Sequence, residues 1–182
     1  GIARYQIKQG KAIFIQQCPT AKTEDVNLFL LGSVMGILLQ QRGCLLLHAC
    51  AVEHQGRAYL FAAHSGVGKS TLAYGLYQRG YRILTDDVAC ITCAAGQPII
   101  HPGYPRLRLT QASADALNTD TTDAPTVVTC DKKYILSCHD NWQSTPLPIS
   151  SINIIETNIV NKLTKSTLQG MKKIFMLKEH SY

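Results

Sequence analysis

The sequence predicts a single domain of the mixed α/β class, built around a mixed sheet. Short apolar runs of strand length recur along the chain, and several are joined by turns short enough for hairpins. Fewer segments show the helical spacing of apolar residues. A doubly wound fold would alternate strands and helices regularly, so these hairpins favour a mixed sheet. No repeat or linker divides residues 1–182 into two domains.

The first half of the chain gives most of the predicted elements. Residues 11–16 are typical of a strand, and a helix is predicted from Thr23 until Gly43 ends it. Its apolar residues at helical spacing are Val26, Phe29, Leu30, Val34, Ile37 and Leu38. Further predictions are a hairpin of 44–52 and 57–62, a helix over 70–78 that Gly80 ends, a strand over 81–85, and a hairpin of 88–93 and 97–101.

The second half is less regular. It contains a predicted short helix over 111–117, a polar loop over 118–123 that suggests disorder, and strands over 127–129, 133–136 and 152–155. Residues 158–177 are amphipathic and rich in lysine, which predicts one or two closing helices.

The net charge of +6 is concentrated near the end of the sequence. Residues 157–182 hold five lysines and one glutamate, which gives +4 of that charge. A docking site for acidic or phosphorylated groups fits this distribution, and so does a solvated helix face. The longest apolar stretch, 29–39, is too short to span a bilayer. We therefore expect neither a membrane nor a nucleic acid as partner.

The seven cysteines are scattered, mostly within apolar runs, and their odd number argues against a disulfide framework. A reducing, cytoplasmic location is therefore predicted. Cys90 and Cys93 have the one metal-like spacing, but no second pair accompanies them, so zinc is disfavoured. The sequence shows no signal peptide and begins at Gly1 without methionine, which predicts a processed or partial chain.

Residues 62–71 read AAHSGVGKST and match the back half of the nucleotide-binding P-loop, with Ala63 in place of its first glycine. A strand before this stretch and a helix after it are the setting that such a loop requires. Lys69 would then reach the β- and γ-phosphates of a bound nucleotide, and the Ser70 hydroxyl would ligate Mg²⁺. The predicted nucleotide-binding residues are Ser65, Gly66, Val67, Gly68, Lys69, Ser70 and Thr71.

Two adjacent carboxylates, Asp86 and Asp87, follow the predicted strand that ends at residue 85. One could hold Mg²⁺, which we assign to Asp86, while the other accepts a proton from an incoming hydroxyl. Neighbouring residues of a strand point to opposite faces, so both can serve one site only if the strand has ended. The alternative is that both merely cap a turn.

Three more residues are candidates for the same site. His48 lies in an apolar strand, where a buried structural histidine is an equal alternative. Arg106 and Arg108 could neutralise phosphate charge in the transition state. We expect at most one of these arginines to face the site and favour Arg106; a surface strand is the alternative.

Together these motifs resemble the catalytic domain of the HPr kinase/phosphorylase family. The shared elements are His48, the turn 53–56, the loop 65–70, Arg79-Gly80 and Asp86-Asp87. Residues 105–109 and 133–136 look like shorter HPr-kinase-like proteins found beside peptide biosynthetic clusters. The resemblance implies one catalytic domain over 1–182 with a fold like phosphoenolpyruvate carboxykinase.

The resemblance also implies ATP- and Mg²⁺-dependent phosphorylation of a serine. By position, Asp87 matches the family's proton acceptor, Lys69 the γ-phosphate contact and His48 the active-site histidine. Ser70 matches a Mg²⁺ ligand. Family members form hexamers, so a homo-oligomer is compatible with the sequence.

Two departures from the family bear on the substrate. No acidic residue lies between Asp87 and Asp115, so the family's second metal-binding glutamate has no match. The glycine-rich segment that engages HPr is also missing, which predicts a different acceptor. A serine of a peptide or small protein, such as a lasso-peptide precursor, is the leading hypothesis. A kinase of free serine or a sugar, and a regulator that holds ATP without transfer, remain alternatives.

If the lysine-rich end docks an acidic or phosphorylated substrate, replacing Lys172 and Lys173 by alanine should raise KM for that substrate. Steady-state kinetics with the double variant measures this, and an unchanged KM contradicts the docking role.

Overall fold

The structure is a computed structural model that describes residues 1–128, 132–157 and 163–182. It opens with an antiparallel hairpin of β1 (Ala3–Lys8) and β2 (Ala12–Gln17). Gln9 and Gly10 form its turn with positive φ angles of 50° and 65°. The strand predicted over 11–16 corresponds to β2, whereas β1 was not predicted.

One long helical segment follows the hairpin, as predicted, but its middle is a π-helix. It consists of α1 (Thr23–Phe29), the π segment (Leu30–Val34) and α2 (Met35–Gln41). The hairpin holds both ends of this segment. The Tyr5 hydroxyl donates to the Val26 carbonyl at 2.8 Å, and the Gly10 N–H donates to Gln41 Oε1 at 2.7 Å.

Six strands form the main sheet, in the order β4-β11-β7-β6-β3-β5. They are β3 (Leu45–His54), β4 (Arg57–Ala62), β5 (Arg82–Thr85), β6 (Val88–Ala94), β7 (Gln97–His101) and β11 (Leu147–Ile154). Both predicted hairpins, β3–β4 and β6–β7, are present. β3 also pairs with β6 through its first half and with β5 through its second. The pairings through β3, β4, β11, β7 and β6 therefore close a circuit, and β11 runs parallel to β4, which makes the sheet mixed.

The circuit encloses one apolar core, and a second core lies under helix α3 (Lys69–Tyr77). The enclosed core consists of Leu47, Ala49, Ala51, Ala58, Leu60, Ala62, Leu84, Ala89, Ile91 and Ile100. The second contains Cys50, Val52, Ala73, Ile83, Leu107 and Cys138. Consecutive β3 residues contribute to opposite cores, so β3 is buried on both faces. This burial holds β3, and with it the backbone of His48, in place.

The remaining elements lie on and beside these cores. A small sheet has the order β8-β10-β9, with β8 (Arg106–Thr110), β9 (Thr126–Val128) and β10 (Lys132–Ser137). Helix α4 (Gln111–Ala116) follows β8, a 3₁₀ turn spans His139–Asn141, and helix α5 (Met171–Glu179) comes last. Thr129, at the end of one predicted strand, lies outside the described residues.

The helices predicted over 158–177 are only partly correct. Residues 158–162 lie outside the described part of the chain, and residues 163–169 form neither helix nor strand. Helix α5 begins after Gly170 and continues to Glu179. Within the described ranges, every helix is too short or too polar to cross a bilayer.

Candidate functional site

The glycine-rich loop (residues 63–68) joins β4 to α3, as the sequence predicted. Gly66 and Gly68 have φ angles of 86° and 110°, and a Cβ at either position would meet no atom within 4 Å. Their backbone conformation, and not lack of space, is therefore what requires glycine. Ala63 is buried and is not among the residues with positive φ, so replacing the motif's first glycine introduces no strain there.

Lys69 is the first residue of α3, and its side chain turns back onto the glycine-rich loop. Its Nζ donates to the carbonyls of Ala63 at 2.6 Å and His64 at 3.2 Å. Burial lowers the pKa of Lys69, while the carboxylates of Asp87 and Asp86 oppose that shift. The charges of Lys69, Asp86 and Asp87 are therefore close enough to affect one another.

The other predicted phosphate-binding residues have different exposures. Ser65 and Gly66 are exposed, Val67, Gly68 and Ser70 are half-buried, and the Thr71 hydroxyl lies 2.8 Å from Ser113 Oγ on α4. Thr71 therefore joins α3 to α4, while Ser65 and Gly66 stay open to solvent.

Asp86 is 6% exposed and follows directly on β5. Its Oδ2 accepts the Arg108 N–H at 3.0 Å, whereas its Oδ1 is buried without a hydrogen-bond partner. Burial raises the pKa of Asp86, and the adjacent Ser70 hydroxyl and Arg108 only partly offset this. A buried carboxylate oxygen without a hydrogen-bond partner lowers the stability of a fold. The stability of this fold therefore gives no reason for a carboxylate at position 86.

Asp87 has a different environment. Its Oδ2 lies 2.6 Å from Arg108 Nη2, and its Oδ1 lies 3.3 Å from His48 Nδ1. Burial alone would raise the pKa of Asp87, but the hydrogen bond from His48 and the charge of Arg108 hold it below its usual range. β5 ends at Thr85, so Asp86 and Asp87 are not held on opposite faces of a strand and both can reach one site.

Arg106 and Arg108 both line the cavity next to these carboxylates. The expectation that at most one would face the site is wrong, because residues two apart on a strand share a face. Arg108 contacts Asp86 and Asp87, while the Arg106 guanidinium lies 5.2 Å from the ring centre of Tyr104. Arg108 therefore has closer contacts with the two carboxylates than Arg106, which the sequence favoured.

Tyr182 is a site residue that the sequence did not reveal. Its hydroxyl lies 3.0 Å from His48 Nδ1, and the two rings meet edge to face. Backbone bonds fix this approach: the His48 N–H donates to the His180 carbonyl, and the Tyr182 N–H donates to the Leu46 carbonyl. Burial and the charge of Asp87 raise the pKa of Tyr182 to about 12, so its phenol is neutral. No local motif marks a residue that is 134 positions away from its partner.

A cavity of about 530 Å³ opens beside the carboxylates. Its lining includes the charged side chains of Asp86, Asp87, Arg106 and Arg108. Apolar side chains of the long helical segment also line it and form its apolar wall: Leu28, Leu31, Met35 and Leu39. The cavity therefore combines charged groups with an apolar wall, the combination common in ligand pockets.

The residues present fit a magnesium ion. Among the described residues, no three His, Cys, Asp or Glu side chains are grouped as a complete metal cage. Mg²⁺ does not require one, because it binds through one or two protein oxygens together with phosphate and water. The unpartnered Oδ1 of Asp86 and the neighbouring Ser70 hydroxyl are the oxygens suited to it.

Comparison with known proteins adds independent findings. Residues 15–116 match the family described as SynChlorMet cassette protein ScmC. An HPr kinase/phosphorylase of Treponema pallidum is 42% identical over 57 residues, which is 31% of this chain and 18% of that protein. The enzyme of the same name from Lactobacillus acidophilus is 49% identical over 41 residues, or 22% of this chain and 13% of that protein. The aligned part thus spans less than a fifth of these curated relatives.

One solved structure is also similar. The Hpr(Ser) kinase/phosphatase from Coxiella burnetii aligns with a TM-score of 0.44 at 15% identity, covering 60% of this chain and 63% of that chain.

Replacing Asp86 by asparagine should raise the free energy of unfolding at neutral pH. The pKa of Asp86 is higher in the folded chain than in the unfolded one, so its ionised form destabilises the fold at neutral pH. Asparagine keeps an oxygen for the Arg108 N–H and removes the charge. The advantage should shrink as pH falls through the folded-state pKa, because the native carboxyl then becomes neutral too.

Urea unfolding at about pH 8 and about pH 5 measures both parts of this prediction. The exposed Asp123→Asn change is the matched control and should alter stability by less than about 0.5 kcal/mol. A less stable Asp86→Asn protein at neutral pH would show that the carboxylate is structural.

Proposed function

This chain belongs to the family of SynChlorMet cassette protein ScmC and is HPr kinase-like, as its motifs predicted, and on that basis we propose that it is an ATP- and Mg²⁺-dependent serine kinase. The observation that carries the proposal is the contrast between its two adjacent carboxylates. Asp87 is held ionised by Arg108 and His48, while Asp86 is buried with a free oxygen next to Ser70. A proton acceptor and a metal ligand thus stand side by side, as phosphoryl transfer requires.

The glycine-rich loop is proposed to bind the phosphates of ATP as a P-loop. Its support is the positive φ of Gly66 and Gly68 at the start of α3, where backbone N–H groups and the helix dipole favour an anion. Lys69 would exchange its bonds to the Ala63 and His64 carbonyls for phosphate oxygens. Ser70 and Asp86 would hold Mg²⁺, which supplies neutralisation of phosphate charge when bound.

The transfer step assigns roles to Asp87 and the arginines. The acceptor hydroxyl oxygen attacks the γ-phosphorus, its proton passes to the Asp87 carboxylate, and ADP leaves with the bridging oxygen. Because the Arg108 guanidinium is paired with Asp87, Arg106, which also lines the cavity, is the guanidinium proposed to neutralise the transferred group.

His48 and Tyr182 are proposed to position Asp87. His48 Nδ1 lies 3.3 Å from Asp87 Oδ1 and 3.0 Å from the Tyr182 hydroxyl. The phenol therefore restricts the orientation of the imidazole ring toward the carboxylate. Neither His48 nor Tyr182 is proposed to bind the nucleotide.

The proposed acceptor is a serine of a peptide or small protein; a lasso-peptide precursor remains the most specific candidate. Free serine or a sugar would place polar groups against the apolar wall of the cavity, which disfavours them. A regulator that holds ATP without transfer is the second candidate, favoured by the contact of Lys69 with its own loop. The six described cysteines are free thiols, which supports the proposed cytoplasmic location. Self-association remains a prediction.

Incubation with γ-labelled ATP and Mg²⁺ should place label on serine peptides. Asp87→Asn should lower the transfer rate by about 10²- to 10⁴-fold, because the carboxylate that accepts the proton is lost. The exposed Asp123→Asn change is the matched control and should leave the rate unaltered.

Each result has a distinct meaning. Label on free serine alone would establish the small-molecule kinase instead. Nucleotide binding without transfer to peptides, serine or sugars would support the regulator, and failure to bind ATP would refute the nucleotide site.

Tyr182→Phe should lower kcat about two- to tenfold through loss of one hydrogen bond, with KM for ATP unchanged. Because Tyr182 is proposed to act through His48 on Asp87, the loss should fall on kcat alone. Steady-state kinetics with ATP as the varied substrate checks this, and an unchanged kcat would leave Tyr182 with a structural role only.

A further inference from the structure

We propose that the cavity beside Asp87 selects its substrate by binding an apolar side chain that neighbours the phosphorylated hydroxyl in a peptide. This inference rests on the proposed kinase function and names the class of acceptor. It follows from the placement of the apolar wall relative to the proton acceptor.

The apolar wall and the proton acceptor line the same cavity. Leu28, Leu31, Met35 and Leu39 form the wall on the helical side, and Val88 and Cys90 contribute apolar surface from β6. Asp87 lines the same cavity and is adjacent in sequence to Val88. A substrate whose hydroxyl reaches Asp87 therefore brings its neighbouring groups against this wall.

The size and openness of the cavity fit a peptide side chain. Its volume of about 530 Å³ falls within the usual range of roughly 300 to 1,000 Å³ for ligand pockets. Leu31 is 40% exposed and Tyr104 is 56% exposed at the cavity lining, so chain on either side of the bound residue can pass into solvent. Free serine is too small to cover the wall and too polar to benefit from it.

The backbone of the wall gives a second indication. Leu31 and Gly32 belong to the π segment, and single turns of π-helix occur frequently at functional sites. The hairpin contacts of Tyr5 and Gln41 hold the helical segment on both sides of this turn. The wall is therefore fixed in place and can discriminate between side chains.

The test compares peptides that differ only in the residue beside the serine. A leucine-flanked peptide should have a kcat/KM at least about tenfold higher than its asparagine-flanked counterpart. Leu31→Asp should abolish that preference and favour a lysine-flanked peptide instead, a gain that misfolding cannot produce. Ile37→Asp is the matched control, because Ile37 is 46% exposed on the same helical segment but does not line the cavity.

Equal kcat/KM values for the leucine and asparagine peptides would overturn the inference, as would equal effects of Leu31→Asp and Ile37→Asp. If no peptide is phosphorylated, the kinase proposal fails separately, and calorimetric binding of the same peptides decides the inference. Tighter binding of the leucine peptide that Leu31→Asp abolishes would support it, and equal binding of both peptides would refute it.

Discussion

The site depends on how Arg108 joins two sheets. Arg108 belongs to the small sheet, yet its backbone N–H binds Asp86 and its guanidinium binds Asp87 at the end of a main-sheet strand. One residue thus satisfies an oxygen on each of two adjacent carboxylates. Without it, two negative charges would stand side by side at a buried strand end, which is unfavourable at low local dielectric. The cavity lies where these sheets meet.

The same arrangement gives two chemically identical side chains different environments. Asp87 gains a cation and a histidine, so ionisation is favoured, whereas Asp86 lies deeper and keeps an oxygen without a partner. Stability alone would favour an uncharged residue at position 86. The proposed roles of Asp86 and Asp87 account for a carboxylate that lowers the stability of the fold.

The sequence predicted features that depend on neighbours along the chain. The glycine-rich loop, the hairpins and the strand ending before Asp86 follow from local spacing, and the structure contains them. β1 was missed although Ala3, Tyr5 and Ile7 alternate with polar residues, which is the pattern that predicts a half-buried strand. Tyr182 and the π segment could not be predicted in this way. The first depends on a contact across 134 residues, and the apolar spacing that predicts a helix does not mark where that helix widens into a π turn.

The π segment also has a consequence for how this site could diversify. A π turn holds one residue more than the α-helical turn it replaces, so deleting one residue between 30 and 34 would restore a regular α-helical turn without rotating α2 relative to α1. Met35 and Leu39 would keep their places in the cavity lining, whereas the side chains of the turn itself, among them Leu31, would be presented differently. Related chains could thus vary one part of this lining through a change in helix length, with no substitution at Asp86 or Asp87.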